Sequence, residues 1–131
     1  MRFGGSYFFR LFVSLRFLGN NYLCKNDLIM DEWYIGSDLK FLVKMEASGF
    51  SMDDDDWEVI VKCGNSVVAT FQKSDCIRGD DGEWYVCVPN DVLKNGDIHL
   101  VGHAMIPDDD FQGTGIRNEV EKVKVGTIKK V

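Results

Sequence analysis

Alternation of apolar and polar residues is the dominant pattern from Leu39 onward. In the segment 39–46 the odd positions are apolar and the even positions are mostly charged. The segment 57–63 repeats the pattern, with Trp57 and Cys63 at its two ends. A period of two residues is typical of a β-strand that buries one face. The pattern therefore predicts two half-buried strands.

Four more segments are predicted to be strands: 67–72, 84–88, 97–106 and 120–128. Turn residues separate them, one helical turn is predicted at 89–96, and Gly102 suggests a bulge or bend inside its strand. Short strands at a spacing of about ten residues, without a helix of useful length, favour two packed sheets. The prediction is an all-β protein, an antiparallel immunoglobulin-like β-sandwich of six or seven strands.

Residues 1–29 do not share the alternating pattern. They are dense in aromatic residues but interrupted by Arg10 and Arg16, so they match neither a secretory signal nor a membrane-spanning helix. Met30 opens a segment that resembles a native start. We therefore predict an extraneous or weakly ordered extension at 1–29 and a β-sandwich domain at 30–131. A weak targeting signal, a basic amphipathic helix and a structured arm remain as alternatives for the extension.

Charge is unevenly distributed along the 131 residues, whose net charge is -6. Residues 1–29 hold four basic groups and one acidic group, whereas residues 30–131 hold 11 basic and 20 acidic groups. The body therefore carries a net charge of -9, which repels phosphate backbones and argues against nucleic-acid binding. Solubility, cation binding and docking to a basic partner are the remaining uses of such charge.

Two acidic runs are the most individual features of the sequence. Asp53 begins a block of four aspartates, and Asp108 begins a block of three. Asp108, Asp110 and Glu119 fall at positions 1, 3 and 12 of a calcium-loop spacing, with Gly113 at the turn. They are the candidate metal ligands, with calcium as the ion. A solvated acidic turn is the alternative for both runs.

No set of residues predicts catalysis or a zinc site. The four cysteines lack C-x-x-C spacing and only two histidines, His99 and His103, are present. We interpret the cysteines as buried free thiols, with a disulfide as the alternative. We interpret the histidines as ordinary strand residues. The protein is predicted not to be an enzyme.

The body resembles a group of small uncharacterised β proteins from gut Bacteroidales and their phages. The resemblance covers about 100 residues and is carried by the segments 33–41, 49–57, 85–87, 107–111 and 115–120. Such proteins resemble accessory virion modules, including domains of head fibres and of the baseplate N-terminal type. The resemblance implies a structural component of a phage or prophage, located in the virion or the host cytoplasm. The resemblance implies no catalytic residues.

The sequence is compatible with two functions. A virion interaction module would dock to protein partners, or form a homo-oligomer such as a trimer, through sheet edges and loops. It predicts an exposed apolar patch or an unprotected edge. The second function is a ligand- or carbohydrate-binding β-sandwich, with or without stabilisation by calcium. It would need an aromatic platform. That platform would be built from Trp33, Trp57, Trp84 or Tyr85.

Overall fold

The computed structural model describes residues 9–16, 22–24, 31–80 and 82–130. Ten strands lie in these ranges: β1 (Phe9–Arg16), β2 (Tyr22–Cys24), β3 (Asp31–Tyr34), β4 (Leu39–Ala47), β5 (Asp56–Cys63), β6 (Ser66–Gln72), β7 (Ile77–Arg78), β8 (Trp84–Val88), β9 (Gly96–Pro107) and β10 (Ile116–Lys129). The helical pieces of the described ranges are two 3-10 turns, Lys73–Asp75 and Asn90–Val92. In these ranges no helix is long and apolar enough to cross a membrane.

The strands form two five-stranded sheets. Sheet I has the order β2-β1-β4-β8-β7, and sheet II has the order β3-β10-β9-β5-β6. Neighbours are antiparallel, except that β3 runs parallel to β10. The predicted all-β sandwich is confirmed, and each of the six predicted strands is present. The number of strands is larger than expected because the pattern did not reveal β1, β2, β3 and β7.

The core lies between the inner faces of the two sheets. Its members are the odd-numbered apolar residues of β4 and β5 and their counterparts on β8, β9 and β10. Trp57 and Trp84 meet across the sheets with ring centroids 5.2 Å apart and planes at 75°, the edge-to-face arrangement that aromatic pairs prefer. Strand alternation therefore places the two tryptophans inside the molecule.

The described part of residues 1–29 differs from the predicted loose extension. Strand β1 pairs with β4 along seven residues, from Phe9 opposite Ala47 to Leu15 opposite Phe41. Leu11 and Val13 are buried in the core. The alternation of this strand is interrupted by Phe12, an aromatic residue between the buried Leu11 and Val13. Met30 and the remaining residues of 1–29 lie outside the described ranges.

Gly102 has a different role from the predicted bulge. Strand β9 runs through it in regular register, opposite Val59 on one side and Glu121 on the other. A Cβ atom at Gly102 would lie 3.0 Å from Leu11 Cδ1 and 3.3 Å from Met45 Cε. Glycine therefore permits a close approach of the two sheets, and the register shifts lie in β6 and β10 instead.

The three cysteines whose side chains are described are free thiols. Cys63 is buried in the core, as predicted. Cys76 is half-buried, and its pKa is raised to about 11 by burial and by the nearby Asp75 and Cys87. Cys87 is exposed, so the prediction of burial is wrong there. It lies on the outer face of β8, opposite in direction to the buried Val86.

Candidate interaction surface

The loop between β9 and β10 is held by its own hydrogen bonds. The Asp108 amide donates to the Gly115 carbonyl at 2.9 Å, and the Gly115 amide donates to the Phe111 carbonyl at 2.7 Å. Gly113 and Gly115 adopt φ values of 95° and 67°, which side-chain-bearing residues rarely adopt. The sharp turn predicted at Gly113 is therefore present.

Arg117 binds two of the three candidate calcium ligands. Its Nη1 donates to Asp108 Oδ2 at 2.6 Å, and its Nε donates to Glu119 Oε2 at 3.1 Å. Asp108 and Arg117 are both buried, and a charge-assisted pair is what such burial requires. Asp108 Oδ1 accepts the amide of Asp110, whose side chain is exposed. The guanidinium thus supplies the positive charge that the sequence suggested a calcium ion would bring.

No metal cluster appears in the described ranges. Within them, no group of three or more His, Cys, Asp or Glu side chains is arranged to hold a metal ion. The structure brings Asp108 and Glu119 together through Arg117. Calcium binding by Asp108, Asp110 and Glu119 stays a prediction, and any ion would have to compete with an internal guanidinium.

The other acidic run is also contacted by basic side chains. Arg78 binds Asp53 with two hydrogen bonds, from Nε at 2.7 Å and from Nη2 at 2.9 Å. The pKa of Asp53 is lowered, chiefly by this contact. Lys73 Nζ donates to the carbonyls of Asp53 and Asp55. The block therefore folds around two basic side chains, and Asp54 and Asp56 remain as its exposed carboxylates.

The two acidic loops lie at the same end of the sandwich. Arg117 Nη2 donates to the Ser48 carbonyl, in the connection that also contains the Asp53 run, at 3.2 Å. Asp56 begins β5 opposite Met105, two residues before β9 ends. The sequence alone does not show whether the two acidic loops meet. The buried Arg117 joins the two loops. Its position in the sequence, nine residues after Asp108, does not indicate this contact.

A polar network crosses the outer face of sheet II. His103 Nδ1 lies 3.0 Å from Glu58 Oε2 and its Nε2 lies 2.9 Å from Asn118 Oδ1. Gln72 Nε2 donates to Glu58 Oε1 at 2.8 Å. Both atoms facing the imidazole are oxygens, so the doubly protonated ring satisfies both. The network links β6, β5, β9 and β10 through side chains that are far apart in the sequence but neighbours in the sheet.

The two histidines have opposite electrostatic environments. Burial acts to lower the pKa of His103, but the hydrogen bonds to Glu58 and Asn118 outweigh it, and the pKa is raised. The pKa of Glu58 is lowered, chiefly by the same hydrogen bond. At His99, burial and then the charge of Lys122 lower the pKa. His103 is therefore a member of a polar network, which the interpretation as an ordinary strand residue missed.

Strand β6 forms one lateral edge of sheet II. It pairs with β5, and no described strand pairs with its other side. Its seven residues, SVVATFQ, contain no charged side chain, and Val67 is 59% exposed. The other edge strands are shorter: β3 has four residues, β2 three and β7 two. Of the four strands that end the two sheets, β6 therefore offers the longest row of unpaired backbone groups.

A cleft of about 590 Å³ opens where β6 ends. We call it the Trp84 cleft; it is lined by Asp56, Trp57, Gln72, Lys73, Ser74, Cys76, Trp84 and Met105. Lys73 Nζ lies 5.8 Å from the centroid of the Trp84 ring. The buried Trp84 Nε1 has no hydrogen-bond acceptor among the described residues, whereas Trp57 Nε1 donates to the Met52 carbonyl at 2.9 Å. The cleft mixes carboxylate, amide and ammonium groups with apolar rings.

Comparisons with known proteins give no family for this chain. No protein-family model matches it, and no curated protein matches it at a significant level.

Proposed function

We propose that this protein is a non-catalytic structural or interaction module, of the kind that phage and prophage virions carry in head fibres, tails or baseplates. The observation that supports it is the β6 edge: seven residues without charge, unpaired on one side by any described strand. Natural proteins usually protect such edges with charges, prolines, bulges or covering segments, and β6 carries one register shift between Val67 and Ala69. An edge without charge, proline or a covering strand among the described residues is a feature expected of a docking surface.

The acidic end of the sandwich fits the same proposal. Arg117 and Arg78 hold the two acidic loops in fixed shapes, which reduces the entropy lost when a partner binds. The exposed Asp54 and Asp56 give this end a negative charge. Electrostatic complementarity accelerates the association of oppositely charged surfaces, so a partner with a basic surface is favoured.

The alternative is a ligand- or carbohydrate-binding β-sandwich stabilised by calcium. The Trp84 cleft is the feature that favours it, because tryptophan rings and polar groups line it together. Sugar rings stack on exposed aromatic faces, however, and Trp57 and Trp84 are 1% and 8% exposed. Trp33 packs edge-on against Phe41 with ring centroids 6.2 Å apart. The buried rings give this alternative less support.

Sedimentation velocity on the full chain tests the proposal, alone and mixed with the proteins encoded beside its gene. We expect self-association or a complex with one of those proteins. A chain that stays monomeric and binds none of its neighbours would contradict the proposal. In the same sample, a rise in melting temperature on adding calcium together with an oligosaccharide would favour the alternative.

A further inference from the structure

We propose that the β6 edge and the Trp84 cleft together bind one extended, basic segment of a partner protein. The segment adds a strand beside β6, and one of its lysine or arginine side chains enters the cleft. This inference rests on the proposed function and names the site and the kind of partner. Main-chain hydrogen bonds supply affinity in strand addition, and a side-chain pocket supplies specificity.

The backbone of β6 provides the first part of the site. The strand ends at Gln72, which also lines the Trp84 cleft, so the open edge leads directly to the cleft. Asp75 accepts the Gln72 amide at 3.0 Å, which fixes the strand end beside the following turn. A segment lying along β6 therefore meets the cleft at a fixed position.

The side chains of β6 define the pattern of the segment. On the inner side, Val68, Ala69 and Phe71 pack against the core but are only partly buried. A neighbouring strand with apolar residues at alternate positions would complete their burial. On the outer side, the exposed Val67 and Thr70 accept either apolar or small polar neighbours. The edge thus fits a segment that alternates apolar and polar residues.

Charge selects a basic segment. Asp56 is exposed and lines the cleft, and neither it nor Asp54 has an ion pair within the described residues. Lys73 also lines the cleft, but its ammonium group donates to the carbonyls of Asp53 and Asp55 and not to Asp56, so the Asp56 carboxylate is available to an incoming cation. Beside it, Met105 and Trp84 provide an apolar surface for the aliphatic part of a lysine or arginine. A second copy of this chain, of net charge -6, is a less complementary occupant.

The test uses the full chain and a capped peptide of about ten residues that alternates valine with threonine and ends in lysines. One control peptide replaces the lysines with glutamates. Another carries N-methyl groups on the backbone nitrogens that would pair with β6. Binding is measured by fluorescence anisotropy, and the contact is located by amide hydrogen exchange. Asp56→Asn is compared with Asp91→Asn, which removes the same charge from the exposed 3-10 turn between β8 and β9.

We expect the lysine peptide to bind and to protect the amides of β6, and both control peptides to lose binding. Asp56→Asn should weaken binding about two- to five-fold, as expected for a partly exposed ion pair, and Asp91→Asn should leave it unchanged. Absence of binding up to about 1 mM peptide, equal binding of the N-methyl peptide, or protection elsewhere would overturn the inference. So would a homodimer that pairs through β6. A partner complex formed through another face would overturn this inference and leave the proposed function intact.

Discussion

At the scale of single residues, Trp57 and Trp84 differ in one atom's environment. Both rings are buried, and they pack against each other across the two sheets. Trp57 donates its indole N–H to the Met52 carbonyl, while the Trp84 N–H has no acceptor among the described residues. A buried donor without an acceptor costs free energy that a bonded donor does not. The two tryptophans therefore contribute differently to stability although both are buried.

This difference predicts the ranking of two matched variants. Trp57→Phe removes a hydrogen bond and leaves the Met52 carbonyl without its donor, whereas Trp84→Phe removes an unsatisfied donor. Both lose similar ring volume. We expect Trp57→Phe to reduce the free energy of unfolding by about 1–3 kcal/mol more than Trp84→Phe. Urea unfolding of the two variants measures this, and equal losses would contradict the assignment.

At the scale of elements, sequence periodicity predicted the strands in which apolar and polar residues alternate. It missed strands that are recognised only from the neighbouring strand with which they pair. The strands at 39–47 and 84–88 were predicted almost to the residue because alternate positions are buried on one face. Strand β1 was missed because Phe12 lies between the buried Leu11 and Val13 and interrupts the alternation of apolar and polar residues. Its assignment depends on pairing with β4, a partner that begins 23 residues after β1 ends.

The candidate site likewise has some features that the sequence predicted and others that it did not. Both acidic loops and the turn at Gly113 followed from the sequence, since runs of aspartate and glycine specify exposed turns. The contacts of Arg117 with Ser48 and of Arg78 with Asp53 did not, because they join residues 69 and 25 positions apart. Nothing near either arginine indicates its partner. The open edge of β6 likewise depends on which strands lie beside which.

The network across sheet II predicts a pH dependence of stability. Folding lowers the Glu58 pKa from 4.5, so its contribution is present above pH 4.5 and is lost as the pH falls through the lowered value. Folding raises the His103 pKa from 6.5, so that contribution is complete below pH 6.5 and is lost as the pH rises through the raised value. The pair should therefore stabilise the fold most between pH 4.5 and pH 6.5.

Glu58→Gln should remove this optimum. Relative to the unsubstituted chain, we expect its melting temperature to be lower by about 3 °C near pH 5.5 and by less at pH 8, because a partly exposed ion pair contributes about 1 kcal/mol or less. Asp91→Asn, far from the network, serves as the control. Calorimetry over this pH range measures both, and a constant difference for Glu58→Gln would show that the pair does not titrate as described.

At the scale of the whole molecule, the sandwich depends on a strand from the part of the chain that differs most in composition. Strand β1 adds Leu11 and Val13 to the core and extends sheet I beyond β4. The Leu11 amide also donates to Glu121 Oε1 of β10 at 2.6 Å, which ties the two sheets together. The packing unit therefore begins before residue 30, although the change in charge and composition lies near that position.

A double-mutant cycle between Leu11 and Gly102 tests whether β1 packs in this way. Leu11→Ala should cost about 2–5 kcal/mol, as for other buried leucines, whereas Val120→Ala at an exposed position should cost about 0.5 kcal/mol or less. Gly102→Ala should cost about 1–3 kcal/mol alone, because its Cβ would meet Leu11 at 3.0 Å. In the Leu11→Ala background that Cβ has room, and the cost should fall. Additive effects in urea unfolding, or a neutral Leu11→Ala, would instead mean that residues 9–16 do not contribute to the core.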